Sequence, residues 1–114
     1  MIKIIIYYFF KLYLLIKKMS ILLRKKVRTE KFYSVGYSPG LKKYVLAITV
    51  PWIGYYEDYY EISEEEYNMF GTYKLDEIAS SLADATSSSP RFLYSGRSGG
   101  KPEIAEKLFP KTKK

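Results

Sequence analysis

The alternation of large and small side chains predicts a β-hairpin over residues 32–50, FYSVGYSPGLKKYVLAITV. In YSVGY, large side chains alternate with small ones, SPG supplies a turn, and YVLAITV is an apolar run rich in β-branched residues. Pro51 is expected to end the second strand, because proline has no N–H to donate to a neighbouring strand.

A third strand is predicted for YYEDYYEI, residues 55–62. Both of its faces mix apolar and polar side chains, which favours an edge or recognition strand over a strand in the middle of a sheet. One face carries Tyr55, Glu57, Tyr59 and Glu61, and the other carries Tyr56, Asp58, Tyr60 and Ile62.

A helix is predicted to start at Ser63. Ser63 and Glu66 have the spacing of a capping box, in which each side chain accepts a hydrogen bond from the backbone N–H of the other residue. Ile62 and Tyr67 have the spacing of a hydrophobic staple. These local signals are one sufficient explanation for acidic residues at this position, and a partner-binding role is the other.

Further elements complete an α+β pattern. We expect a second helix with one apolar stripe, a short strand over residues 91–95, and a last helix between Pro102 and Pro110. The fold class is therefore α+β, with a small antiparallel sheet packed against two or three helices. The apolar stripe of the second helix consists of Leu75, Ile78, Ala79, Leu82 and Ala83.

Histidine and cysteine are absent from the 114 residues, which excludes several kinds of site. Hydrolases of the Ser–His–Asp or Cys–His kind, disulfides, zinc–thiolate sites and histidine-ligated metals all need one of them. SGRSGGKP, residues 95–102, lacks the first glycine and the final Ser or Thr of a phosphate-binding loop, so we expect a flexible loop there. We predict no enzyme activity, no cofactor and no metal.

The first eighteen residues, MIKIIIYYFFKLYLLIKK, leave three interpretations open. They are a dispensable extension ahead of a start at Met19, a membrane anchor or export signal, or a strand or helix of the core. The apolar run from Ile4 to Ile16 contains Lys11 and is shorter than the roughly 20 apolar residues of a spanning helix. We expect residues 19–110 to form one α+β domain and residues 111–114 a basic tail.

The net charge of +7 is unevenly distributed along the chain. Residues 1–18, 19–43 and 87–114 carry net charges of +4, +6 and +5, whereas residues 44–86 carry −8. The chain therefore has an acidic middle between basic ends. The run RKKVR (residues 24–28) could contact nucleic acid, but the tyrosines interleave with acids, which would repel a phosphate backbone.

Carboxylates spaced by tyrosines can imitate a nucleic-acid strand, with charges in place of phosphates and rings in place of bases. Such a surface would attract a cationic cleft and hold it through buried tyrosines. We therefore predict one acidic–aromatic partner-binding surface, and expect that changing Glu57, Asp58 and Glu61 to lysine weakens the complex while leaving folding intact. The candidate residues are Tyr55, Glu57, Asp58, Tyr59, Glu61, Glu64, Glu65 and Tyr67.

The segment YEISEEEYNMF followed by LDEIA resembles small bacterial immunity proteins encoded beside polymorphic or contact-dependent growth-inhibition toxins. The resemblance covers Tyr60 to Ala79. It implies a non-enzymatic inhibitor that binds a cognate toxin domain, often a nuclease, in the cytoplasm. The alternatives are a small protein anchored in a membrane through residues 1–18 and a basic nucleic-acid-binding protein.

Overall fold

The structure, a computed structural model, describes residues 22–110 and is organised around six antiparallel strands. Each strand pairs with the next one along the chain, so the order in the sheet is the order in the sequence. The predicted α+β class is confirmed. The strands are β1 (Leu23–Arg28), β2 (Tyr33–Ser38), β3 (Lys43–Trp52), β4 (Gly54–Ile62), β5 (Phe92–Ser95) and β6 (Gly99–Gly100).

Three helices within residues 22–110 accompany the sheet. Two of them lie in the connection between β4 and β5, and the third follows β6. Short 3-10 turns occupy Thr29–Lys31 and Thr86–Ser88. The helices are α1 (Glu64–Tyr67), α2 (Tyr73–Ala85) and α3 (Pro102–Leu108). The predictions for residues 1–18 and for the tail 111–114 lie outside the described residues.

The predicted hairpin is confirmed as β2 and β3, but the prediction that Pro51 ends the second strand is wrong. Pro51 pairs with Tyr55, and β3 continues to Trp52. The N–H of Thr49 donates to the Phe32 carbonyl at 2.9 Å, on the β2 side of β3. Because alternate residues of a strand direct their N–H groups to the same side, the proline nitrogen also points there, beyond the end of β2. No ladder hydrogen bond is lost.

The sheet buries side chains on both faces. The face that packs against α1 and α2 holds the larger cluster, and the second face packs against Leu108 of α3 and against Leu22. The stripe predicted for α2 is confirmed at Leu75, Ala79 and Leu82, which are buried, and at Ile78, which is partly buried, whereas Ala83 is exposed. Strand residues of the larger cluster are Tyr33, Val35, Leu46, Ile48, Tyr60 and Ile62; those of the second cluster are Val45, Ala47, Tyr59 and Leu93.

The expectation that residues 55–62 form an edge or recognition strand is wrong. This segment belongs to β4, which pairs with β3 on one side and with β5 on the other. The alternation of its side chains is as predicted, but over residues 57–60 both sets point into packed layers. The mixed polarity of β4 therefore reflects polar groups that are buried inside the protein.

Among the described strands the edges of the sheet are β6 and β1, and β1 contains the basic run RKKVR. Its ladder with β2 shifts register between Leu23 and Lys26. Charged side chains and a bulge are features that keep an exposed edge from pairing with another chain. The loop expected to be flexible after β5 also contains structure, since Gly99 and Gly100 form β6 and pair with β5.

Candidate functional site

The structure does not gather the eight candidate residues on one surface. Glu57, Asp58, Tyr59 and Tyr67 are buried, with at most 7% of each exposed. Tyr55 and Glu61 are half-buried, near opposite ends of β4. The expectation of a single acidic–aromatic surface is therefore wrong, because a central strand turns its side chains into two cores. The exposed members are Glu64 and Glu65.

Glu57 is a structural carboxylate of the sheet. The Tyr59 hydroxyl donates to Glu57 Oε1 at 2.6 Å, and the Thr49 hydroxyl lies 3.5 Å from Oε2. The backbone carbonyl of Glu57 accepts a hydrogen bond from Gly96 at 2.8 Å, which ties the end of β5 to β4. Lysine at this position would place an unpaired cation inside the protein, so the burial of Glu57 argues against the expectation that charge reversal leaves folding intact.

Asp58 lies on the opposite face of β4, close to Tyr60. Asp58 Oδ1 and the Tyr60 hydroxyl are both buried and have no hydrogen-bond partner among the described residues. Burial raises the pKa of Tyr60 to about 12, with a further contribution from the Asp58 carboxylate. Charge reversal at Asp58 would likewise act on the interior of the protein.

Tyr67 contacts the basic strand β1 through both its hydroxyl and its ring. Its hydroxyl donates to the backbone carbonyl of Arg24 at 2.5 Å, and the Lys26 ammonium lies 4.4 Å from the centre of its ring. The Arg24 guanidinium lies over Tyr44, whose ring packs on Tyr67 with centroids 4.7 Å apart. Lysine and arginine are attracted to the negative faces of aromatic rings. Arg24 and Lys26 of β1 thus contact tyrosine rings of the protein itself.

The basic flanks also pair with the acidic middle of the chain. Arg28 binds Asp76 through two hydrogen bonds of 3.1 and 2.9 Å, and the Tyr33 hydroxyl donates to the same carboxylate at 2.6 Å. The hydrogen bonds from Arg28, and secondarily that from Tyr33, hold the pKa of Asp76 below its ordinary value. Burial, then donation to Asp76, raises the pKa of Tyr33. This charge pair joins the edge strand to α2.

Glu66 completes the predicted capping box and pairs with an arginine. Its carboxylate accepts from the Ser63 backbone N–H at 2.8 Å, while the Ser63 hydroxyl accepts from the Glu66 N–H at 3.1 Å. Arg91 donates to both carboxylate oxygens of Glu66 at 2.8 and 2.9 Å. These hydrogen bonds, chiefly those from Arg91, lower the pKa of Glu66. Glu66 therefore connects the start of α1 to the start of β5.

Three carboxylates remain near the surface where β4 meets α1, and we call them the acidic corner: Glu61, Glu64 and Glu65. Glu61 is 45% exposed and pairs with Lys43 at 3.1 Å, whereas Glu64 and Glu65 form no ion pair with a described residue. Glu65 also borders an open depression of about 680 Å³ between α1 and α2.

A second exposed feature was not predicted from the sequence. The turn between β3 and β4 projects as a two-stranded ribbon, with Trp52 60% exposed and Ile53 92% exposed. We call residues 51–55 the hairpin tip. The signal in the sequence was PWIG, in which two large apolar residues directly precede a glycine. In the structure this glycine, Gly54, forms the turn with a positive φ of 95°.

Within the described residues, the side chains able to bind metals form no group of three or more. None of the helices in residues 22–110 has the length and apolar character needed to cross a membrane. A scan against protein-family models, a search of curated proteins and a search of solved structures gave no match to this chain.

Proposed function

We propose that this chain is an immunity protein, which binds a cognate bacterial toxin domain and neutralises it stoichiometrically in the cytoplasm. One observation carries the proposal: Glu64 and Glu65 are exposed side by side with no ion pair to a described residue. Their neighbour Glu66 is by contrast held by Arg91. Glu57 and Asp76, from the same acidic middle, are likewise held by internal hydrogen bonds, whereas the exposed acids of this segment are Glu64, Glu65, Glu77 and Asp84.

The acidic corner suits a cationic partner. Two adjacent carboxylates beside Glu61 create a local negative field in a chain whose net charge is +7. A nuclease presents a cationic surface to the phosphates of its substrate, and such a surface would be attracted to the corner. Charges at the rim of an interface act mainly on the rate of association and on the choice of partner. We therefore propose a nuclease domain as the partner.

The competing classes receive less support from the described residues. Binding of nucleic acid would need free cations, yet Arg24, Lys26 and Arg28 of β1 are engaged with tyrosines and with Asp76. Anchoring through residues 1–18 concerns a segment outside the described residues. The proposed activity is binding alone, with no catalytic step and no cofactor.

The test is surface plasmon resonance between the full chain and the purified toxin domain encoded beside it. We expect the double variant Glu64→Lys/Glu65→Lys to reduce the association rate constant about tenfold at low salt, and less at high salt, because exposed charges are screened. The matched control is Glu103→Lys/Glu106→Lys, which makes the same change of charge on the exposed residues of α3. Equal losses in both variants would show an effect of net charge alone, and no complex with the unmodified chain would refute the proposed function.

A further inference from the structure

The hairpin tip extends beyond the body of the sheet as a paired two-stranded ribbon. Beyond Ile48 and Asp58, the strands β3 and β4 have no neighbouring strand among residues 22–110, since β2 and β5 stop opposite these residues. The ribbon continues through pairs that include Trp52 with Gly54. A backbone ordered before binding loses less conformational entropy when a complex forms. The tip is therefore preorganised for contact.

The exposed side chains of the hairpin tip are apolar, and one cationic side chain from a neighbouring loop packs against them. Trp52 and Ile53 expose most of their surface, and the Arg97 guanidinium stacks on the Trp52 ring at 4.2 Å from its centre. Arg97 is positioned by a turn in which its backbone N–H donates to the Ser95 hydroxyl at 3.1 Å. It forms no ion pair with a described residue. Tryptophan and arginine are the residue types that most often dominate the energy of protein interfaces.

The tip and the acidic corner are separate surfaces. Tyr55 and Glu61 are six positions apart on β4, which corresponds to roughly 20 Å along an extended strand. The residues of β4 between positions 57 and 60 are buried, so no continuous surface joins the two ends along this strand. A projecting tip requires a concave partner, whereas a charged corner does not.

We propose that the hairpin tip is an apolar anchor that inserts Trp52 and Ile53 into an apolar pocket of the toxin domain, with a carboxylate at the rim of that pocket pairing with Arg97. This inference rests on the proposed function and adds the chemistry of a second contact. The occupied pocket differs from the cationic surface that the acidic corner would meet, because a cationic pocket would repel Arg97.

The test is isothermal titration calorimetry of the full chain with the same purified toxin domain. We expect Trp52→Ala to raise the Kd about 30-fold or more and Ile53→Ser about tenfold, as for central apolar anchors. Arg97→Glu should raise the Kd more than Arg97→Ala does. The control is Tyr73→Ser, which removes another exposed aromatic, 73% exposed, at the start of α2; its Kd should not change.

The outcomes separate the two proposals. No complex with the unmodified chain refutes the proposed function and this inference together, whereas a complex that the tip variants form equally well refutes the inference alone. Trp52 is the single tryptophan of the chain. A blue shift of its emission with vesicles of phosphatidylcholine and phosphatidylglycerol would assign the tip to membranes instead. Concentration-dependent dimers that Trp52→Ala abolishes would assign it to a second copy of the chain.

Discussion

Replacing Glu66 with alanine tests the distinction between acids that stabilise the fold and acids that are merely exposed at the surface. The change removes the acceptor of the Ser63 N–H and both acceptors of the Arg91 guanidinium. Glu66 itself is only 14% exposed, whereas Arg91 is 41% exposed. We expect the variant to fold, but with a looser connection from α1 to β5.

The expected loss follows from these contacts. Because Arg91 is largely open to solvent, we assign its ion pair with Glu66 the energy of a well-formed surface pair, about 1 kcal/mol. The hydrogen bond from Ser63 contributes about 1 kcal/mol more. Glu66→Ala should therefore lower the free energy of unfolding by about 2 kcal/mol, and Glu66→Gln, which keeps the acceptor for Ser63, by about 1 kcal/mol.

The measurement is urea unfolding followed by circular dichroism, with Arg91→Ala and the double variant completing a thermodynamic cycle. The coupling between the two side chains should be about 1 kcal/mol. The control is Glu64→Ala in the same turn, which should change stability by less than about 0.5 kcal/mol. Similar small effects for Glu66→Ala and Glu64→Ala would refute the structural role of Glu66.

The lowered pKa of Glu66 gives the same experiment a pH dependence. A carboxyl group whose pKa is lower in the folded state stabilises the fold above its ordinary pKa of 4.5. This contribution is lost as the pH falls below that value and through the pKa of the folded state. The difference in stability between the unmodified chain and Glu66→Gln should therefore shrink on acidification. A difference that is constant with pH would contradict this account.

Two further predictions concern the buried polar groups of β4. Glu57→Lys should lower the free energy of unfolding by about 3 kcal/mol or more, because it replaces the acceptor of Tyr59 with a buried cation; unchanged urea unfolding would contradict this. For Tyr60, a pKa of about 12 means that stability is lost as the pH rises from 10 towards 12. Urea unfolding of Tyr60→Phe should show a smaller loss over this range, and an equal loss would indicate that other groups dominate.

Local patterns in the sequence were sufficient where the interacting groups are close along the chain. The hairpin of β2 and β3, the capping box of Ser63 and Glu66, and the apolar stripe of α2 each depend on residues within a few positions of one another. Their geometry is set by backbone periodicity and by short-range hydrogen bonds. The α+β class followed from the order of these elements.

Placement of β4 could not be predicted in this way. Its alternation was correct, but its position depends on β5, which returns to it only after α1 and α2. A strand with a neighbour on each side and helices against both faces buries polar groups that would be exposed at an edge. The alternation of side chains along a strand correctly placed Glu57 and Asp58 on opposite faces, but it could not show that both faces are buried.

The sequence by itself determined the elements, the alternation of side chains along them and the division into acidic and basic segments. Only the tertiary structure decided which charges meet. Arg28 with Asp76, and Lys26 with Tyr67, are brought together from distant parts of the chain by the pairing of β1 and the packing of α1 and α2. Tertiary structure also decided the exposure of the hairpin tip. The neighbouring strands β2 and β5 stop before they reach it, and this depends on the register of the sheet rather than on the residues of the tip.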